Sequence, residues 1–129
     1  MAKISRFEDI EAWKKAREMV KQIYQLTENN KNFKGDFALK DQIRRSAISV
    51  MSNIAEGYAR QTDKEFTKFL YIAIGSNAEF QSQLYVAIDL NYISRDEFER
   101  LYSKSVETSK LIRGFIKYLT PDSRLLTKD

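Results

Sequence analysis

The chain has 129 residues, one domain's length, with no cysteine and no histidine. That excludes disulfides and thiolate zinc sites, removes the commonest general base and transition-metal ligand, and suits a reducing cytoplasm. Twenty-two basic against eighteen acidic residues leave a net charge of +4, which permits a polyanion partner without requiring one.

The opening "MAKISRFEDI" lacks the apolar core of a signal peptide. The first helix is predicted from about Glu8 to Glu28. Trp13, Ala16, Val20, Ile23, Tyr24 and Thr27 recur at spacings of three and four. Acids lead it (Glu8, Asp9, Glu11) and bases follow, in the sense that suits the helix dipole. The polar stretch Asn29–Asp36, with Gly35, reads as a loop.

The second helix is predicted over 37–60, with Asp36 as its N-cap. The third covers 63–90, and Thr62 and Glu65 have capping-box spacing. The fourth covers 95–119, where Ser94 and Glu97 repeat that spacing and Pro121 prevents continuation. Residues 120–129 form a tail. The longest apolar run, "FLYIAI", is too short to span a membrane, so no membrane partner is expected.

No segment alternates like a strand. Short connections make neighbouring helices antiparallel. The expectation is all-α: a single antiparallel up-down-up-down four-helix bundle over 1–129. Counting outward from the turns sets Trp13 level with Ile54, with Phe69 or Leu70, and with Phe115 or Ile116. It also sets Gly57 near Phe66, and Ser46 and Ala47 near Gly75 and Ser76. A mid-helix glycine costs about 1 kcal/mol against alanine. Gly57 is therefore expected to give clearance to a ring, and Gly75 to permit close approach.

The third helix carries two apolar lines. One is Phe66, Leu70 (with Phe69), Ala73, Asn77, Phe80, Leu84 and Ala87. The other is Tyr71, Ile74, Ala78 and Tyr85, with Ile72 beside it. A bundle core needs one stripe, so the second reads either as scattered surface residues or as a subunit interface.

Two polar constellations are candidate sites. Lys40, Arg44, Arg45, Arg60, Lys64 and Lys68 form a basic series suited to phosphate contacts. Asp41 and Glu56 are spaced to neutralise parts of it, which makes a solvated face the alternative. Ser49, Asn53, Glu56 and Gly57 mark a line beside the apolar stripe. It is read as a structural polar network fixing helix register, with a polar pocket as the alternative. Without histidine, Glu-x-x-His di-iron sites and nucleophilic triads lack essential parts. No catalytic residue, metal, cofactor or small-molecule substrate is expected, and the protein is read as no enzyme.

The segments "FEDIEAWKKARE", "QIRRSAISVMSNIAEGYAR" and "EFTKFLYIAIGSNAEFQSQL" resemble a bacterial four-helix-bundle family. Its members are encoded in intervening sequences of large-subunit ribosomal RNA genes. The accessory variability determinant of diversity-generating retroelements looks like a relative. The resemblance spans about Phe7 to Leu119. It implies a homo-oligomer built as a ring of five, a pentamer, with no catalytic activity and an association with nucleic acid. Two positions depart from the family's common pattern: Met51 stands where proline is frequent, and Asn77 where an apolar residue is frequent. The functional expectation is an accessory protein that binds RNA or DNA backbone through a basic surface. The alternative is a protein-interaction scaffold with no nucleic-acid binding.

Overall fold

Side-chain caps set where every α-helix after the first begins. In the computed structural model, which describes residues 4–121, α1 spans Glu11–Asn29. Glu8 and Asp9 fall in a preceding 3-10 turn, Phe7–Asp9. Extended backbone at Ile10 separates the two. That break buries Ile10 and brings the Phe7 ring edge-on to Trp13 at 5.1 Å.

The stretch read as a loop contains a short helix, α2, Lys31–Gly35. Asn30 caps it by accepting the Phe33 N–H at 2.9 Å, and Phe33 is fully buried. Helix α3, Phe37–Ala59, starts where the Asp36 carboxylate accepts the Leu39 N–H. Helix α4, Asp63–Asp89, starts where Thr62 accepts the Glu65 N–H. Helix α5, Arg95–Leu119, opens with a reciprocal Ser94–Glu97 capping box. Between α4 and α5, Asn91 takes a left-handed φ of 60°, which asparagine tolerates in a tight reversal.

The long helices close a four-sided bundle. Helix α1 packs on α3 and α5, and α4 packs on the same two. Side-chain pairs run in opposite directions along three of the seams. Ser46 and Ser49 reach Gln83 and Ser76 on α4. Asn77 and Gln81 reach Ser109 and Ser105 on α5. Lys104 and Glu107 reach Glu18 and Lys15 on α1.

Two apolar clusters fill the interior. One holds Trp13, Ile54, Leu70, Phe115 and Ile116, the aromatic layer that counting from the turns had set level. Phe69 is outside it, and the Arg60 guanidinium lies 4.7 Å over its ring. The other cluster joins Met19, Ile43, Phe80, Leu101 and the buried Phe33. Gly57 sits where a Cβ would meet Phe69 Cβ at 2.8 Å and Phe66 Cδ1 at 2.9 Å.

The α3–α4 register differs from the count by about one helical turn. Ser49 stands opposite Ser76 at 2.8 Å, and Ser46 stands opposite Gln83 at 2.7 Å. Gly75 is exposed, and an added Cβ would meet nothing within 4 Å. It therefore permits no close approach within the chain. Among the described residues no helix is long and apolar enough to cross a membrane.

Candidate nucleic-acid interface

The basic series is split by the fold. Twenty residues of helix separate Lys40 from Arg60, about 30 Å at 1.5 Å per residue. Arg44 is held on three sides. Its Nε donates to Thr27 Oγ1 at 2.9 Å, its guanidinium lies 4.1 Å over the Tyr24 ring, and Glu28 is 3.7 Å away. Glu28 also takes a hydrogen bond from Lys34, which with the neighbouring positive charges lowers its carboxyl pKa. Arg45 is exposed but pairs with Asp41 at 2.8 Å, and Arg60 pairs with Glu56 at 3.0 Å. The Lys40 ammonium sits 4.8 Å over the exposed Phe37 ring. Lys64 and Lys68 are exposed and form no ion pair among the described residues.

The polar line on α3 is also divided. Asn53 Nδ2 donates to the Ser49 carbonyl and hydroxyl at 2.8 and 3.0 Å, and Ser49 bonds Ser76 across the seam. These three form a chain of hydrogen bonds between two helices. Glu56 stays on the surface with Arg60, and Gly57 serves the packing of the Phe66 and Phe69 side chains.

A stronger cationic surface lies on α4 and α5. From Phe66 to Ala78, α4 has no acidic residue, and from Thr108 to Leu119, α5 has none. These halves are antiparallel neighbours, as the Asn77–Ser105, Asn77–Ser109 and Gln81–Ser105 bonds show. Continuing that register brings Lys68 level with Lys117. Lys68, Lys110, Arg113 and Lys117 are all exposed and form no ion pair among the described residues. Lys110 and Arg113 line an open groove together with Ile74, Ala78, Val106, Gln81 and Ser109. The nearest acid on α5, Glu107, is held by Lys15 of α1 at 3.4 Å. Reading outward from single motifs misses this surface. The signal for it is a run without acids in two segments that only the antiparallel fold brings together.

Residues 8–114 match the family described as 23S rRNA-intervening sequence protein. The chain belongs to this family. A solved structure from Bacteroides thetaiotaomicron is similar to it. That protein is described as of unknown function and from the S23 ribosomal protein family. The two share 30% identity over 82% of this chain and 98% of that one, with a TM-score of 0.76. No curated protein matches the chain.

The family match runs from the 3-10 turn through most of α5, so Lys68, Lys110 and Arg113 lie inside it and Lys117 lies beyond. Two positions singled out in the sequence have physical consequences. With Met51 in its middle and no proline, α3 is one helix from Phe37 to Ala59, since every backbone N–H there can donate. Asn77 is fully buried and fully bonded. Its Nδ2 donates to the Ser105 carbonyl and to Ser109 Oγ, both at 2.7 Å. Its Oδ1 accepts from Ser105 Oγ at 2.6 Å, and Gln81 donates to that same hydroxyl. A buried amide costs little once each of its polar atoms has a partner. The network pins α4 against α5 directly beneath the cationic groove.

Proposed function

We propose that this intervening-sequence family member is a self-associating, non-enzymatic cytoplasmic accessory protein that binds the phosphate backbone of RNA or DNA through the α4–α5 face. One observation carries the reading: Lys68, Lys110, Arg113 and Lys117 stand exposed on adjoining helix halves that contain no acid. The Arg44–Arg45 end does not support it equally, because Arg44 is held by Thr27, Tyr24 and Glu28, and Arg45 by Asp41. Repetition of the face around an oligomer multiplies a weak single contact into avidity.

Binding is expected to fall with salt. Four contacts to a single strand give roughly a 50-fold loss between about 50 and 200 mM salt. The double variant Lys110→Glu/Arg113→Glu is expected to lose at least tenfold in affinity, and Arg45→Glu to change it less than twofold. Filter binding to generic RNA and DNA, with oligomer mass measured on each variant, checks this. Wild-type protein that retains neither polymer at low salt would falsify the reading. The second reading is a protein-interaction scaffold, favoured by the exposed Ile72, Val86 and Leu90 on α4. It predicts no polymer retention at any salt concentration.

A further inference from the structure

An exposed aromatic ring on a cationic surface can stack on a base, but only if its face is free. The exposed aromatics of this protein differ in that respect. Arg44 covers Tyr24 at 4.1 Å, and Lys40 covers Phe37 at 4.8 Å. Tyr85 packs with Phe98 at 5.0 Å and Tyr102 at 5.6 Å, and Tyr118 packs with Phe115 at 5.6 Å. Tyr71 is 45% exposed and has no ring or cation partner among the described residues.

Tyr71 also stands in the right place. Positions 71, 74, 78, 81 and 85 share the side of α4 that meets α5, as the Gln81–Ser105 bond and the Tyr85–Tyr102 contact show. Ile74 and Ala78, the next positions along that line, share the lining of one groove with Lys110 and Arg113. The same register sets Tyr71 level with the turn between Arg113 and Lys117. One unoccupied ring, a partly apolar groove and a row of cations with no ion pair among the described residues thus lie along one antiparallel helix pair.

We propose that this face takes single-stranded polynucleotide, with one base stacked on Tyr71 and the flanking phosphates on Lys68, Lys110, Arg113 and Lys117. The proposal rests on the reading above and adds a ligand class to it. Duplex presents phosphates but hides the faces of its bases in the stack. Single strands, whether RNA or DNA, offer both groups. Stacking on an aromatic is tolerant of sequence, so the site selects strandedness and not a motif.

The test compares oligo(U), oligo(dT), a mixed-sequence duplex and inorganic polyphosphate on the full chain. Both single strands are expected to bind at least tenfold more tightly than the duplex or polyphosphate of equal charge. Tyr71→Ala is expected to lose about 5- to 100-fold on single strands and little on polyphosphate. Tyr71→Trp is expected to retain binding, and its added fluorescence to be quenched by oligo(dT) and not by polyphosphate. Single strands, duplex and polyphosphate bound equally, with Tyr71→Ala indifferent, overturn the base-stacking site and leave backbone binding intact. A Tyr71→Ala protein whose oligomer mass collapses shows a second copy on this face and also overturns it. Absence of all binding by the wild type removes both proposals.

Discussion

Two glycines of similar local sequence have opposite surroundings, and they separate what spacing can reveal from what it cannot. Gly57 and Gly75 both interrupt helices, and each was expected to serve a close contact. At Gly57 the new methyl would sit 2.8 Å from Phe69 Cβ, 2.9 Å from Phe66 Cδ1 and 3.2 Å from the Phe66 carbonyl oxygen. Phe69 Cβ and that carbonyl belong to the body of α4, so relief requires the helix to move. Gly57→Ala is therefore expected to destabilise by about 1–3 kcal/mol, despite a helix-propensity gain of about 1 kcal/mol. Gly75→Ala is expected to stabilise by about 0.5–1 kcal/mol, because nothing lies within 4 Å. Denaturant midpoints of the two variants at equal m-value check both signs. The sequence revealed Gly57 because a glycine in an otherwise apolar stripe implies a missing volume. It was misleading at Gly75 because Ala73, Ser76 and Asn77 take the buried positions of this turn, which leaves residue 75 on the outward face of α4 whatever the register.

At the level of elements, the long helices were legible because their apolar periodicity and caps agree. Asp36, Thr62 and Ser94 all cap as their spacing implies. Helix α2 was illegible. Only Phe33 among Asn29–Asp36 is apolar, and one apolar residue has no period. Its place is fixed by distant partners: its ring lies 5.1 Å from that of Tyr92, and the Tyr92 hydroxyl donates to Asp36 Oδ2 at 2.9 Å. This clasp ties the start of α3 to the turn before α5. The hydrogen bond to Asp36, with its negative charge, raises the Tyr92 phenol above its ordinary pKa of 10.0. A raised folded-state pKa means that the protonated phenol stabilises the fold. That contribution is complete below the unfolded-state pKa and is lost as pH rises through the folded-state value. Tyr92→Phe is expected to lower the thermal midpoint at pH 7. The gap should close above pH 10, where the wild type sets phenolate against Asp36 and the variant does not. Midpoints measured from pH 7 to pH 11 check this. A gap of constant size across that range would remove the bond from the account of stability.

For the whole molecule, the remaining issue is how one helix serves two surfaces. Helix α4 is flanked by α3 on the side of Ser76 and Gln83 and by α5 on the side of Asn77 and Gln81. Its outward surface therefore has two edges. Tyr71 belongs to the α5 edge. Ile72 and Leu90 continue the line of Ser76 and Gln83 along the α3 edge, and Val86 faces outward between the two edges. All three are more than two-fifths exposed. Apolar side chains aligned along some 27 Å of helix lose water contact most readily against a like surface. We expect them to form the subunit contact, so that oligomerisation leaves the α5 edge open to a ligand. Light scattering at micromolar concentration should give a multiple of the chain mass, with five copies expected from the family resemblance. Ile72→Glu/Val86→Glu should yield monomers with unchanged helical circular dichroism, because neither side chain enters the core clusters. Those monomers should still bind a short oligonucleotide at the α5 edge but lose the avidity of the ring on long strands. Tyr71→Ala should leave the mass unchanged. A wild-type monomer would sink the assembly argument, and a double variant of full mass would move the contact away from this edge.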